Sequence, residues 1–173
     1  MMNGASVAGI LVRGAVAGVV GTTAMTALQE LVIKLRKHTT VDIDTMGHEE
    51  TDPWSKAPAP ARVGRLIVEG VFGKEVPPER IPLFTNVMHW GFGTTMGPMY
   101  AVAERALGGT RILGGPLFGL GVWAQSYATL VPLGLYKPPW RYPAKSIAKD
   151  VSYHLVYGTG TAAGYAVLRR LSR

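Results

Sequence analysis

Cysteine is absent from the 173 residues. That single absence excludes disulfides, iron–sulfur clusters, Cys-ligated zinc and thiol nucleophiles. Charge is also scarce. Asp, Glu, Lys and Arg make up 17% of the chain, against about a quarter in ordinary soluble domains. With 47% of residues hydrophobic, a disordered charged tail is excluded. Acids are the scarcer sign, 11 against 18 Lys and Arg, for a net charge of +7. Such an excess invites nucleic acid. The cations, however, flank long uncharged stretches and form no basic face interleaved with aromatics, so no nucleic-acid partner is expected. Walker and H-E-x-x-H motifs are missing, no Ser/His/Asp spacing stands out, and no enzyme class is indicated. The first twelve residues lack Lys and Arg, hence the basic start of a signal peptide, and the first apolar segment is expected to be retained.

What is present is a set of four uncharged runs, 14–29, 81–103, 112–136 and 151–168. A membrane-crossing helix needs ~20 mostly apolar residues. The first run reaches that length if Glu30 snorkels to the surface beside Lys34. A soluble helical bundle would show a polar stripe at helical period, and these runs do not. The mean hydropathy of +0.17 is held down by Gly, Thr and the long loop. The expected architecture is an all-α membrane protein, a four-transmembrane-helix bundle in one domain covering 1–173, with spans at about 10–34, 82–104, 112–136 and 149–169.

The loop 37–81 has two parts. Residues 38–56 are polar and acidic. Val63, Leu66, Ile67, Val71 and Phe72 then recur at helical spacing with Arg62, Arg65 and Glu69 between them. This pattern predicts a short interfacial amphipathic helix, lying on the membrane or capping the bundle. The Y-K-P-P-W-R-Y segment 136–142 predicts an aromatic and basic anchor at headgroup depth. The side holding the loops 34–80 and 137–149 carries 12 of the 18 basic residues, which places those loops in the cytoplasm and the termini outside.

Every span carries small residues four apart: Gly14 and Gly18, Gly93 and Gly97, Gly115 and Gly119, Gly160 and Gly164. In lipid, close backbone approach through such residues drives helix association. Gly158-Thr-Gly160 sits inside a helical run, so it is no dinucleotide fingerprint.

The second and fourth runs share H-x-x-[FY]-G-T-x5-Y-A-V. His89 aligns with His154, Gly93 with Gly158 and Tyr100 with Tyr165. A tandem helix-pair repeat would run these two spans in the same direction and bring the histidines to one depth. Intramembrane ionisable groups are costly and mark function. Three readings stand: interhelical hydrogen bonding, a proton or ion pathway with Glu30, Gln125 and Asn86 as neighbours, and bis-His ligation of haem b, with Gly93 and Gly158 leaving room for the macrocycle. No other metal site is expected. Asp42-x-Asp44-x-x-Gly47 starts like a calcium loop but has Pro53 where the bidentate Glu belongs. His48, Glu49, Glu50 and Asp52 read as a solvated acidic loop, and Trp123 as packing.

Tyr100-Ala-Val-Ala-Glu104, the G-G-P-L-F-G-L-G run 114–121, Gly134-Leu-Tyr-Lys-Pro-Pro-Trp140 and Asp150-x3-His154 together resemble the YagU-like family of small bacterial inner-membrane proteins. The resemblance covers about the second half of the chain. It implies a polytopic protein of the bacterial inner membrane and a link to acid resistance, and carries no catalytic residues. The expected function is a non-enzymatic transport or channel-like role, handling protons or a solute through His89 and His154, in a homo-oligomer within the lipid bilayer. The alternative is a scaffold or assembly subunit of a membrane complex.

Overall fold

A computed structural model describes residues 6–37, 52–107 and 114–172. They form five α-helices: α1 (Val7–Lys37), α2 (Ala59–Phe72), α3 (Ile81–Ala106), α4 (Gly114–Leu130) and α5 (Ala144–Leu171), joined in part by short 3-10 turns. No strand occurs among the described residues. Residues 38–51 of the acidic segment, with the start of its calcium-like spacing, lie outside them.

Proline and glycine set the boundaries. Pro58 and Pro143 precede α2 and α5, where a missing N–H costs nothing. Gly73 ends α2 in the left-handed region (φ 62°), its N–H donating to Glu69 O. The expected third span ends earlier than its uncharged run, at Leu130. Pro132 disfavours helix at the residue before it. The chain turns through Gly134 (φ 69°), and the Leu135 and Tyr136 N–H groups both donate to Leu130 O. The fourth span starts earlier than expected, at Ala144. Pro98, inside α3, deprives the Thr94 carbonyl of its helical donor. That oxygen lies against Gly18 of α1.

α1, α3, α4 and α5 form an antiparallel bundle in which α3 and α5 run the same way. α1 packs on both α3 and α5, and α4 packs on α5. Gly18 lies against Gly93, Thr94 and Gly97, while Gly115 lies against Gly158, Thr159 and Ala162. The two triads are repeat equivalents, 65 positions apart, the separation that also divides Glu104 from Arg169. The Thr22 hydroxyl fills the space a Cβ on Gly93 would need, and the Gly119 backbone does so at Gly158. Gly14 seats on Gly97 and Pro98; Gly160 and Gly164 seat on Gly21 and Val20 of α1. The two sides of the bundle differ. α1 and α5 meet backbone to backbone, whereas α3 and α4 meet chiefly through the Tyr100 and Phe118 rings, 5.1 Å between centroids.

The inside mixes tyrosine, threonine and one carboxylate with Ile10, Ala17, Met25, Ala101 and Val122, and the outside is aliphatic. Tyr100, Tyr153, Tyr157, Tyr165, Thr22, Thr161 and Glu104 are buried, while Val12 (62% exposed), Val87 (58%), Leu117 (64%) and Val167 (53%) point outward. By length and composition, one helix among the described residues, Val7–Leu35, is long and apolar enough to cross a membrane.

α2 caps the loop end. It turns Ala59, Ala61 and Gly64 inward, with Gly64 seated on Phe84 and Met88 of α3. The apolar stripe read from the sequence faces away from the bundle, leaving Val71 71% and Phe72 66% exposed. Small residues win the inner face because they let two backbones approach.

Candidate functional site

The repeat carries His89 on α3 and His154 on α5, at equivalent positions of the two halves. They are held differently. His89 Nε2 is 3.2 Å from Thr26 Oγ1 of α1. His154 Nδ1 is 2.9 Å from the Asp150 carbonyl one turn earlier and 3.6 Å from Asp150 Oδ1. A carbonyl can only accept, so in the neutral ring this nitrogen carries the proton.

Asp150 is the centre of a second layer. Its Oδ2 accepts from Trp123 Nε1 (3.0 Å) and from the Tyr127 hydroxyl (3.3 Å), both on α4. Tyr127 packs in turn on Tyr136 and Tyr142, with ring centroids 5.1 and 6.3 Å away. The turn that α4 makes before Pro138 brings these rings over the end of α5. In the first half of the chain the position equivalent to Asp150 is Thr85, whose hydroxyl donates to Ile81 O at 2.8 Å. The carboxylate therefore belongs to one half only.

Polar groups continue along the interior. The buried Tyr157 hydroxyl donates to Gly93 O at 2.6 Å, bridging α5 to α3. Thr22 and Thr161 are buried beside it and donate to carbonyls one turn back. Tyr100 and Tyr165 follow, ring centroids 6.0 Å apart. At the far end Arg169 Nη1 donates to buried Glu104 Oε1 at 2.7 Å.

The expected neighbours of the histidines lie elsewhere. Asn86 is exposed and donates to Pro82 O at 2.9 Å, closing on its own helix. Gln125 is exposed and donates to Thr129 Oγ1 at 3.1 Å. Glu30 is exposed, one turn beyond Thr26. Trp123, read as packing, packs on the Tyr127 ring (centroids 5.1 Å apart) and in addition donates to Asp150. Haem does not fit. The glycine faces that were to admit a macrocycle are filled by Thr22 at Gly93 and by the Gly115 and Gly119 backbone at Gly158. Among the described residues no three His, Asp or Glu side chains converge as a metal site.

The sequence reading missed Asp150, Tyr127, Thr26 and the Glu104–Arg169 pair as parts of one interior. Two signals were available. Asp150 stands four residues before His154, one helical turn, and the offset that aligns the histidines also aligns Glu104 with Arg169.

Outside the bundle, Arg65 lies over the Trp54 ring (5.0 Å to the centroid) and donates through Nε to Glu69 Oε1 at 2.8 Å. The Arg65 hydrogen bond, aided by the Val76 N–H at 3.3 Å, holds the Glu69 carboxyl below its ordinary range. Arg62 Nη1 donates to Leu135 O at 3.1 Å and so ties α2 to the turn after α4. The chain matches no family model, no curated protein and no solved structure.

Proposed function

We propose that this is a four-span protein of the bacterial inner membrane that moves or relays protons through its own interior, with α2 at the interface; the resemblance of its second half to the YagU-like family supports the membrane and proton-linked parts of that reading. The observation that carries the reading is the interior column between α3 and α5. It runs from Asp150, His154 and His89, past Tyr157 and Thr161, to Glu104 and Arg169. Aliphatic side chains face outward on all four long helices. That inside-out distribution suits lipid, where outward Val and Leu cost nothing and polar groups turn inward. α4 has 17 described helical residues, about 25 Å at 1.5 Å per residue, and the aromatic turn beyond it supplies the rest of the crossing.

Glycine contacts and tyrosine rings fill the space between the helices. This favours a proton over a solute, because a proton passes between hydrogen-bonded groups without an open bore. The column lies within one chain, so the reading does not need a second copy.

The test is proton flux into proteoliposomes after a pH jump, read with an entrapped pH dye. The His89→Gln/His154→Gln protein should lose flux by roughly tenfold or more, one order of magnitude being ~1.4 kcal/mol of barrier. Unchanged flux in a folded double variant would overturn the reading.

A further inference from the structure

The turn between α4 and α5 carries charge that the interior does not use. Lys137, Arg141, Lys145 and Lys149 recur every fourth residue from that turn into α5, and no acid stands between Glu104 and Asp150. Asp150 itself is turned inward, its Oδ2 taken by Trp123 and Tyr127. Among the described residues none of the four cations has an ion-pair partner. Lys137, Pro138, Trp140 and Arg141 line an open hollow of about 520 Å³. We infer that this hollow holds the headgroup of an anionic phospholipid. Lys137 and Arg141 meet its phosphate, Lys145 adds charge from the first turn of α5, and Trp140 lies beside it. The inference rests on the membrane part of the reading above and adds the lipid class that the loop end selects.

The row of cations is not placed for the sake of α5 itself. Lys145 stands at the end of a helix that favours anions, and no acid shares that first turn. The first half of the repeat lacks the row. Sixty-five positions earlier stand Phe72, Val76, Arg80 and Phe84. The cations therefore belong to this corner of the molecule and not to the helix-pair plan. The turn is also held in shape without them. The Arg141 and Tyr142 N–H groups donate to Pro138 O and Pro139 O, and the Lys137 N–H donates to the Tyr142 hydroxyl. These bonds use backbone atoms and one ring hydroxyl, and they leave the cationic side chains to a ligand.

An anionic lipid suits each of these features. Each Lys or Arg close to an anionic leaflet strengthens attachment roughly fivefold. Trp140 is 80% exposed, and an indole suits headgroup depth, with its ring against methylenes and its N–H in water. Leu133, in the same connection, is 53% exposed and offers an acyl chain an apolar wall. A free phosphate would use the cations and leave Trp140 and Leu133 without a role.

The experiment is native mass spectrometry of the full chain released from detergent micelles doped with phosphatidylglycerol or, separately, phosphatidylcholine. The protein should retain the first lipid and not the second. Lys137→Gln/Arg141→Gln/Lys145→Gln should weaken retention on the order of a hundredfold, and Arg141→Gln alone about fivefold, which keeps the test open if the triple variant misfolds. Lys56→Gln/Lys74→Gln/Arg80→Gln removes the same charge on the α2 side and should leave retention unchanged. Inorganic phosphate in large excess should not displace the lipid. Equal retention of the two lipids, equal losses in the two triple variants, or displacement by inorganic phosphate would each overturn the inference. So would a wild type that holds no phosphatidylglycerol beside an Asp42→Asn/Asp44→Asn/Glu49→Gln/Glu50→Gln variant that does, because the cations would then serve the chain's own acidic segment. The readout is independent of flux. Selective retention in a protein that conducts no protons would uphold this site and remove the transport reading. A chain that stays in solution without detergent would overturn both.

Discussion

Glu104 and Arg169 hold equivalent positions in the two halves of the chain, and they are bonded to each other, Arg169 Nη1 to Glu104 Oε1 at 2.7 Å. The carboxylate is the buried partner, with a side chain 7% exposed against 43% for the arginine. Removing the arginine therefore leaves the worse orphan. Arg169→Ala is expected to destabilise the bundle by ~2 kcal/mol, the cost of an unpaired buried polar group softened by the exposed end. Glu104→Gln should cost less. The double variant should recover part of the loss, and a thermal-unfolding cycle in detergent would read the difference.

The glycines divide into two classes with opposite expected signs. Gly97 is seated on the backbone of Gly14 and Gly18, so Gly97→Leu should cost about 3 kcal/mol or more through overpacking. Gly91 and Gly121 lie on helices with nothing within 4 Å of an added Cβ. Gly91→Ala and Gly121→Ala should be neutral or stabilising by up to ~1 kcal/mol, from helix propensity alone. The same thermal assay separates the classes, and loss of stability in both would refute the assignment.

Acidification should loosen α2 before it disturbs the bundle. The Glu69 carboxyl is held below its ordinary value, so its contribution is present above ~4.3, the value in an unfolded chain. That contribution is lost as pH falls through the lower, folded value. Hydrogen exchange over residues 54–76 should accelerate in that acid window. In Glu69→Gln it should be fast already at neutral pH and insensitive to acid.

Much of this organisation was legible in the sequence. The four helical runs, the small-residue faces and the repeat all appear as spacing, and spacing is what helix geometry preserves. Span ends were less legible. Val131-Pro132 stops α4 inside an uncharged run, and hydropathy does not register a stop made by a ring nitrogen. The inner face of α2 was not legible, because Leu66, Ile67, Val71 and Phe72 carry the apolar signal while Ala61 and Gly64 make the contact. The site was half legible. Both histidines stood out, but their partners are set by how helices rotate about their axes. That rotation leaves Gln125 and Asn86 outside and brings Trp123 and Tyr127 onto Asp150.

Arg62 gives a direct measure of how firmly α2 is attached. Its guanidinium donates to the Leu135 carbonyl beyond the end of α4. Arg62→Met keeps the stem and removes the donor, at an expected cost of ~1–2 kcal/mol. Protease accessibility of the 52–77 segment should rise in that variant with the bundle intact.

The backbone contact between α1 and α5 joins the first and last of the five described helices. While the chain is being synthesised, α1 can dock on α3 as soon as α3 emerges, but the Gly21 face of α1 waits for Thr161 and Gly160. Loop closure over so long a stretch is slow. A half-made chain therefore exposes a bare small-residue seam, and α4 lacks its principal partner until α5 arrives. Loss of α5 would leave α1 seated on α3 but strip the second face of α1 and the main partner of α4 in one step.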